Sequence, residues 1–242
     1  MSYNSFASVY DELTENVEYE KRAEYINTLL TNRGINGGIL LDLACGTGTL
    51  SNHLSKFGYD MILVDSSPEM LDRARDKNKD ALILCQSMTE LDLYGTINAC
   101  VCSLDSVNHI LKPCDVKAMF SKVALFTEKG GAFIFDVNTE YKHREILGNN
   151  TFVYETDNAY LVWQNSYKRN FSVVDIKLDI FAQKGNMYER ESEFFSERAY
   201  KLEDIEKWLC ESGFGDIELY DDLSFDGPKQ DSQRVYFSAV KK

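Results

Sequence analysis

Short apolar runs alternate with amphipathic segments from about residue 38 to residue 137. Five of these runs are predicted to be buried strands: residues 39–43, 61–64, 82–85, 99–102 and 132–137. Helices are predicted from a glycine-rich turn after residue 43 to about residue 57, and over residues 69–77 and 115–127. Short apolar strands that alternate with helices predict an α/β fold with a parallel sheet covered on both faces.

The pattern changes after residue 138, where aromatic residues become frequent and apolar positions alternate with polar ones. A Lys184-Gly185-Asn186 turn between two alternating runs is a hairpin signal. Residues 138–200 are therefore predicted to form an antiparallel β layer inserted into the α/β unit. A helix over residues 202–212 and strands over 216–220 and 235–240 then return to that unit. Residues 1–137 and 201–242 would thus form one domain, with an N-terminal helical cap.

The length of 242 residues suits one such domain with an insertion. The net charge of −13 limits the classes of molecule that the protein is expected to bind. A surface this negative repels phosphate backbones, so nucleic acid is not expected as a substrate. A cationic or neutral small molecule is expected instead. No apolar run is long enough to cross a membrane, and the first residues do not resemble a signal peptide. We therefore expect a cytoplasmic protein, either a monomer or a homodimer.

The cysteines have no spacing that indicates a zinc site or a redox pair, and no metal is expected. They are Cys45, Cys85, Cys100, Cys102, Cys114 and Cys210. Cys85 and Cys100 lie in apolar runs and are predicted to be small core residues. We expect all of them to be reduced thiols.

The segment LDLACGTGTL, residues 41–50, indicates a strand that enters a tight turn with a helix directly behind it. Glycines permit close approach of a ligand, and the helix start offers free N–H groups to an anionic group. Asp65 ends the next strand, where a carboxylate is able to bind both hydroxyls of a ribose. The combination predicts a nucleoside site, although Asp65 could instead simply cap the helix that begins near Pro68.

Two residues distinguish between a dinucleotide and S-adenosylmethionine. A dinucleotide fingerprint requires a third glycine, and Ser51 stands there instead. Asp42 lies in the strand before the turn, where a carboxylate would repel a pyrophosphate but attract the ammonium of a methionine moiety. The alternative for Asp42 is a structural acid that accepts hydrogen bonds from loop N–H groups.

LDLACGTG resembles motif I of the class I S-adenosylmethionine-dependent methyltransferases, with Ala44 where the first glycine usually stands. The resemblance extends to VDSSPEMLDRAR from residue 64, SLDSVNHI from residue 103, GGAFIFDVN from residue 130 and ERAYKLEDIEKWLCESGF from residue 197. The opening, YNSFASVYDEL from residue 3, is similar to a subset of small-molecule-type and uncharacterised bacterial members. The resemblance implies a Rossmann-like, doubly wound, seven-stranded, mostly parallel sheet and S-adenosylmethionine as cofactor.

The resemblance also implies roles for individual residues. Asp42 would hold the methionine amino group, and the turn from Ala44 through Cys45 and Gly46 to Gly48 would line the methionine portion. Around the nucleoside, Asp65 would bind the ribose, Ser66 would lie against the adenosine, and Met70 would pack on the adenine or belong to the helix core. Near the adenine, the segment Gln86-Ser87-Met88 has Ser87 where the family often has an acid, so Ser87 or the Met88 N–H would substitute. Cys102, Ser103, Leu104 and Asp105 would border the methyl-bearing end.

Candidates for catalysis are few. Tyr3, Phe6 and Tyr10 share one face of a helix, which either closes the cofactor pocket, with a Tyr3 or Tyr10 hydroxyl near the methionine carboxylate or the substrate, or only packs on the domain. His109 follows the loop that contains Asp105 and is a candidate general base, or a hydrogen-bonded histidine at a helix start. His53 and His143 are expected at the surface. The position of Arg22 often holds an aromatic residue in this subset.

The aromatic residues of the insertion are Phe152, Tyr154, Tyr160, Trp163 and Tyr167. Because side chains alternate along a strand, half of them are expected to be ordinary packing, and the others either line a substrate pocket or form a subunit interface. The leading prediction is an S-adenosylmethionine-dependent methyltransferase that acts by in-line displacement on an N or O atom of a small molecule. The alternatives are a catalytically silent S-adenosylmethionine-binding protein and an NAD-dependent oxidoreductase.

Overall fold

The computed structural model describes Thr14 and residues 17–242. The α-helices of this part of the chain are α1 (Tyr19–Asn32), α2 (Thr49–Ser55), α3 (Pro68–Lys77), α4 (Pro113–Phe126) and α5 (Leu202–Glu211). The strands of the larger sheet are β1 (Gly38–Leu43), β2 (Tyr59–Asp65), β3 (Leu82–Cys85), β4 (Ile97–Cys102), β5 (Thr127–Asn138), β10 (Phe214–Asp221) and β11 (Arg234–Lys241). The strands of the smaller sheet are β6 (Thr151–Glu155), β7 (Ala159–Lys168), β8 (Val173–Lys184) and β9 (Met187–Arg198).

The larger sheet has seven strands in the order β10-β11-β5-β4-β1-β2-β3. Strands β1 to β5 run parallel, and β11 pairs antiparallel with both β5 and β10. The chain order reverses at the centre, because β1 pairs with β2 on one side and with β4 on the other. In open α/β sheets ligands bind in a crevice outside the carboxyl ends of the strands at such a switch point. In this sheet the crevice is the region outside the ends of β1 and β4. The predicted seven-stranded, doubly wound fold is confirmed.

Each face of the sheet carries its own hydrophobic core. One core packs α4 and α5, through residues such as Phe120 and Trp208, against the aromatic side chains Phe133 and Phe135 of β5. The other packs α1 and α2, through residues such as Ile26, against the opposite face. Both faces of the central strands are covered, which explains why their sequences are continuous apolar runs rather than alternating ones.

The four-stranded sheet lies within the predicted insertion and is antiparallel throughout, in the order β6-β7-β8-β9. Its alternation buries one face, and a third core forms there around Leu161, Ile176 and Leu178. Phe152, Trp163 and Tyr167 pack against this core. Tyr154 and Tyr160 are exposed. The predicted antiparallel layer is confirmed.

Two predictions about burial are wrong. Cys85 is exposed, because β3 is the edge strand of the sheet and has a neighbour on one side only. His143 is fully buried rather than at the surface, because the helical turn Lys142–Leu147 packs against β7 and β8 of the smaller sheet. No helix among the described residues is long and apolar enough to span a membrane.

Candidate active site

The turn between β1 and α2 takes three residues into the left-handed region of backbone space. These are Ala44 with φ 61°, Gly46 with φ 54° and Gly48 with φ 70°. A side chain costs about 1–2 kcal/mol in that conformation, so Ala44 is strained where a glycine would not be. Backbone conformation therefore explains the glycine that usually stands here in the motif that this turn resembles. In this chain Ala44 is strained instead.

Gly46 and Gly48 serve different purposes. A Cβ atom added at Gly46 would meet no atom of the described residues within 4 Å, so this part of the backbone is open on the side of the described structure. A Cβ added at Gly48 would lie 2.6 Å from Asn78 Nδ2 and 3.0 Å from the Cβ of Ala74 at the end of α3. Gly48 thus allows α3 to approach the turn, while Gly46 leaves room for a ligand beside the turn.

Asp65, at the end of β2, holds the turn in place. Its Oδ2 accepts a 2.9 Å hydrogen bond from the Gly46 N–H, and its Oδ1 accepts one of 2.9 Å from the Ser67 N–H. The cap of α3 is Ser67, whose hydroxyl accepts from the Met70 N–H at 3.2 Å. Asp65 is therefore not the helix cap itself, and it lies where β1 and β2 end together, as a ribose-binding acid would.

Asp42 is only 2% exposed and accepts a hydrogen bond from the Ser51 hydroxyl. Burial raises the pKa of Asp42 to about 6, although the Ser51 hydrogen bond acts in the opposite direction. A buried carboxylate of this kind is stabilised by a cation, and a methionine ammonium would supply one. Ser51, which the sequence offered only as a missing glycine, is thus the partner of Asp42.

In the segment after β3, two side chains that were predicted to bind the cofactor, Gln86 and Ser87, form hydrogen bonds within their own loop. The Gln86 amide donates to the Asp92 carbonyl and accepts from the Asp92 N–H, both at 3.0 Å. The Ser87 hydroxyl caps the short helical turn that follows and accepts from the Thr89 N–H. Ser87 is therefore engaged in forming the loop. The groups of this segment that remain for an adenine are backbone atoms and the half-buried Met88.

Of the other residues predicted at the nucleoside, Ser66 is exposed. Met70 is 7% exposed, at the beginning of α3. At the other side of the crevice, Cys102 is fully buried as the last residue of β4. The half-buried Cys45 lies in the turn, and burial raises the pKa of its thiol, which keeps it uncharged.

The loop after β4 is held by two residues that the sequence did not reveal, Asp136 and Arg234. Leu104 and Asp105 are consecutive non-glycine residues at φ 57° and 55°. The buried Asp136 carboxylate accepts hydrogen bonds from the Ser103 hydroxyl at 2.7 Å and from the N–H groups of Leu104 at 2.8 Å and Asp105 at 2.9 Å. The only signal was an acid inside the apolar run over residues 132–137.

Arg234 of β11 bridges the two acids of this region. Its guanidinium donates to Asp136 and, at 2.6 Å, to Oδ1 of Asp105. Burial alone would raise the pKa of Asp105, but the charges of Arg234, Lys142 and His109 outweigh it and hold the pKa well below its usual value. Asp105 is therefore a carboxylate at neutral pH, at the border of the expected methyl-bearing end.

His109 ends the short helical turn Ser106–His109 and is brought beside a buried acid from β9, Glu197. The His109 Nε2 lies 3.9 Å from Glu197 Oε1, and its side chain is 41% exposed. Its ring lies against Phe195, with 5.2 Å between the ring centroids. Glu197 was missed because it stands in an alternating strand that resembles any other surface-facing one.

Tyr3, Phe6 and Tyr10 lie outside the described residues. Arg22 is buried and donates to the Tyr236 hydroxyl at 2.8 Å and to Asp222 at 3.0 Å. It therefore joins α1 to β11 and the segment after β10. His53 is half-buried on α2.

Comparison with known proteins agrees with this geometry. A family model described as a methyltransferase domain matches residues 40–131. The "Putative methyltransferase YqeM" of Bacillus subtilis (strain 168) is 31% identical over 245 residues, which cover 100% of this chain and 98% of the relative. An S-adenosylmethionine-dependent methyltransferase from Clostridium acetobutylicum superposes with a TM-score of 0.89 and 33% identity over 99% of this chain and 98% of its own.

A third relative matches half of the chain. It is a dTDP-3-amino-3,4,6-trideoxy-α-D-glucopyranose N,N-dimethyltransferase of Streptomyces venezuelae, 30% identical over 132 residues that cover 54% of this chain and 56% of the relative. The fold and the full-length relatives define an enzyme that transfers methyl groups. The chain belongs to the class I S-adenosylmethionine-dependent methyltransferases, and its cofactor is S-adenosylmethionine rather than NAD.

Proposed function

We propose that the enzyme methylates an N or O atom of a small molecule, and that an amine is the preferred acceptor. The observation that carries the proposal is the half-exposed His109 beside two acids, Asp105 and the buried Glu197. This cluster would lie at the methyl-bearing end of the cofactor. Acidic side chains attract a protonated amine, and a neighbouring imidazole is able to take up its proton. The names of two relatives, the dTDP-amino-sugar N,N-dimethyltransferase and a glycine/sarcosine N-methyltransferase, support an amine.

The turn from Ala44 to Gly48, with the acids Asp42 and Asp65, is the proposed cofactor site. Asp42 would pair with the ammonium of the methionine portion, the open backbone at Gly46 would lie along it, and Asp65 would receive the ribose hydroxyls. Met70 and Met88 would enclose the adenine, with Ser66, Gln86 and Ser87 contributing backbone atoms. Cys102 and Asp105 would lie near the methyl group, as Tyr3 and Tyr10 would from the N-terminal segment.

Bound S-adenosylmethionine supplies an activated methyl group on a positively charged sulfur, so the protein needs no covalent intermediate. Its contribution is to align the acceptor with the methyl group and to exclude water. An amine reacts through its neutral form, so the proton has to leave before or during transfer. His109 is placed to accept that proton, and the charge of Glu197 would stabilise the resulting imidazolium.

Calorimetric titration with S-adenosylmethionine, S-adenosylhomocysteine and NAD is the first test, and we expect only the two sulfur compounds to bind. A panel of small amines and matched alcohols is then assayed for release of S-adenosylhomocysteine. We expect turnover with amines, and turnover with alcohols alone would contradict the preference.

The role of His109 is tested with the best amine of that panel. His109→Ala should lower kcat by about 10²–10⁴-fold, as loss of a general base does, and leave cofactor affinity unchanged. The matched control is His53→Ala, which removes an imidazole on α2. An unchanged kcat in His109→Ala would show that the proton leaves by another route.

A further inference from the structure

The side chains of Asp105, His109 and Glu197 meet at the border of the crevice, although they come from a loop, a helical turn and a distant strand. One donor atom from each of them lies within 4.8 Å of the other two. The donors around a tetrahedral divalent ion lie about 3.3 Å apart, given metal–ligand distances of about 2.0–2.2 Å. His109 Nε2 and Glu197 Oε1, at 3.9 Å, would each need to move by only a few tenths of an ångström.

A second, independent feature points at this cluster. His143 is fully buried, and neither of its ring nitrogens has a hydrogen-bond partner among the described residues. Its Nε2 nevertheless lies 3.3 Å from Glu197 Oε2, close but poorly aligned for a hydrogen bond. An unsatisfied imidazole in the interior is costly unless a further group completes its surroundings.

The two oxygens of Glu197 face different neighbours. Oε1 faces His109, while Oε2 accepts a 3.2 Å hydrogen bond from the Asn138 amide and faces His143. Carboxylates that bind metals are held in this way by outer partners on the oxygen that does not face the ion. A small shift of Glu197 towards an ion would also allow His143 to align with it.

The charges of the region favour a cation. Asp105, Asp136 and Glu197 contribute three negative charges, and the nearby cations Arg234 and Lys142 contribute two positive ones. With His109 in its neutral form, which is the form that binds metals, one negative charge remains uncompensated. The His109 side chain is 41% exposed, so one of the three ligands is accessible from solvent.

We propose that, in the absence of an acceptor, Asp105, His109 and Glu197 form a binding site for one divalent first-row transition-metal ion, with His143 as the outer partner of Glu197. Ion and amine would exclude each other, because a coordinated His109 Nε2 has no lone pair left to accept a proton. Two carboxylates and one imidazole suit Mn²⁺, Fe²⁺ and Zn²⁺, whereas Mg²⁺ prefers oxygen donors alone. Three protein ligands and one open position are typical of sites that bind water or a substrate. The spacing of cysteines and histidines gave no indication of this site, because its ligands are far apart in the sequence.

The probe is Mn²⁺, because the exposed thiols of Cys85, Cys114 and Cys210 bind it poorly and would compete for Zn²⁺. The full chain is treated with a chelator and titrated with Mn²⁺ and, separately, with Mg²⁺, without cofactor or acceptor. Binding is followed by calorimetry and by the electron paramagnetic resonance signal of free Mn²⁺. We expect one saturable equivalent of Mn²⁺, with Mg²⁺ weaker by about tenfold or more.

His109→Ala should lower the Mn²⁺ affinity by at least about tenfold, and the matched control His53→Ala should not change it. Glu197→Gln should lower the Mn²⁺ affinity to the same extent. If this variant does not fold, the result for His109→Ala, a substitution at an exposed side chain, still tests the site. Absence of saturable Mn²⁺ binding, or binding that survives His109→Ala, would overturn the site. The titration contains no acceptor, so failure of the proposed amine methylation leaves its outcome unaffected.

Discussion

Asp42 is the residue whose chemistry is most affected by its surroundings. The folded protein raises its pKa from 3.8 to about 6, mainly through burial. The ionised form therefore costs stability above pH 6, and this cost disappears as the pH falls through 6 towards the unfolded value. A bound ammonium reverses the balance, because it favours the carboxylate. Asp42 thus favours binding of the cofactor but lowers the stability of the unliganded protein.

We expect Asp42→Asn to stabilise the cofactor-free protein at pH 7.5 by about 1–3 kcal/mol, since it removes a buried charge and keeps an acceptor for Ser51. The gain should shrink towards pH 4, where the wild-type carboxyl is protonated in the folded state. Denaturant unfolding at the two pH values measures both effects.

The same variant should bind S-adenosylmethionine more weakly by about 1.5–3 kcal/mol, because a charged hydrogen bond is lost. Wild-type affinity should also decline below about pH 6, where a proton competes with the ammonium, and the variant should lack this dependence. Calorimetry over pH 5–8 provides the measurement. Equal affinities at every pH would leave Asp42 with a purely structural role.

The two glycines of the turn offer a matched pair of substitutions. Gly48→Ala should destabilise the protein by about 2–4 kcal/mol, because the new Cβ meets Asn78 and Ala74 in a left-handed backbone conformation. Gly46→Ala should cost only about 1–2 kcal/mol, since the new Cβ meets no atom in the described part of the chain and Ala44 already tolerates the same conformation.

The two variants, Gly46→Ala and Gly48→Ala, should also differ in their affinity for the cofactor. Gly46→Ala should weaken S-adenosylmethionine binding by more than its effect on unfolding accounts for, because the added methyl occupies the open side of the turn. Thermal unfolding with and without cofactor measures both quantities. Normal affinity in Gly46→Ala would show that the cofactor does not approach this part of the backbone.

At the level of elements, the loop between β4 and the turn at Ser106–His109 depends on a neighbouring strand for its shape. Asp136 of β5 binds two consecutive N–H groups of this loop, and Arg234 of β11 connects the same carboxylate to Asp105. Two non-glycine residues in left-handed conformations are maintained only when the surroundings determine them. The candidate catalytic region is therefore positioned by the sheet, and not by its own sequence.

Asp136→Asn leaves the buried Arg234 with a weakened network, and we expect a loss of about 3–5 kcal/mol in the free energy of unfolding. Hydrogen exchange at Leu104 and Asp105 should accelerate under conditions in which the protein stays folded. Asp60→Asn, at an exposed acid of β2, is the control and should stay within about 0.5 kcal/mol of wild type. Unchanged exchange in the loop would mean that Asp136 only supports the core.

At the level of the whole molecule, the two sheets are joined beside the crevice by Asn108. Its amide donates to the carbonyls of Asn138 at 3.0 Å and Arg198 at 2.9 Å, and accepts from the Asn138 N–H at 2.9 Å. Asn138 ends β5 and Arg198 ends β9, so one buried side chain connects the larger sheet to the smaller one. Because Glu197 and His109 are the sequence neighbours of Arg198 and Asn108, we expect this connection to set the distance between them.

Asn108→Ala should lower stability by about 2–4 kcal/mol, because three buried backbone groups lose their partner. It should also weaken Mn²⁺ binding, since Glu197 is no longer held beside His109. Asn186→Ala, at the exposed tip of the β8–β9 hairpin, serves as the comparison and should change neither quantity. Chemical denaturation and Mn²⁺ titration are the two measurements, and a stable Asn108→Ala would refute the connecting role.

The local part of the site was accessible from the sequence for a physical reason. The turn from Ala44 to Gly48, Asp42 before it and Asp65 after the next strand follow from rules about backbone conformation and strand ends, which act within one β-α-β unit. The same locality explains why the predicted strands and helices agree with the fold. The resemblance to the methyltransferases then identified the cofactor, and the full-length relatives confirmed it.

Tertiary structure alone decided what surrounds the place where the methyl group would be transferred. Asp136, Glu197, Arg234 and His143 come from elements far apart in the chain, and each lies in a sequence context typical of ordinary strands or surface segments. Side-chain burial depends on which sheet face or edge a strand receives, so His143 and Cys85 were placed wrongly. The sequence by itself determined the α/β fold class, because the alternation of strands and helices is a short-range pattern. It determined the methyl donor through the turn with its two acids and through the resemblance to the methyltransferases. The cluster of Asp105, His109 and Glu197 exists only because the larger and the smaller sheet meet beside Asn108.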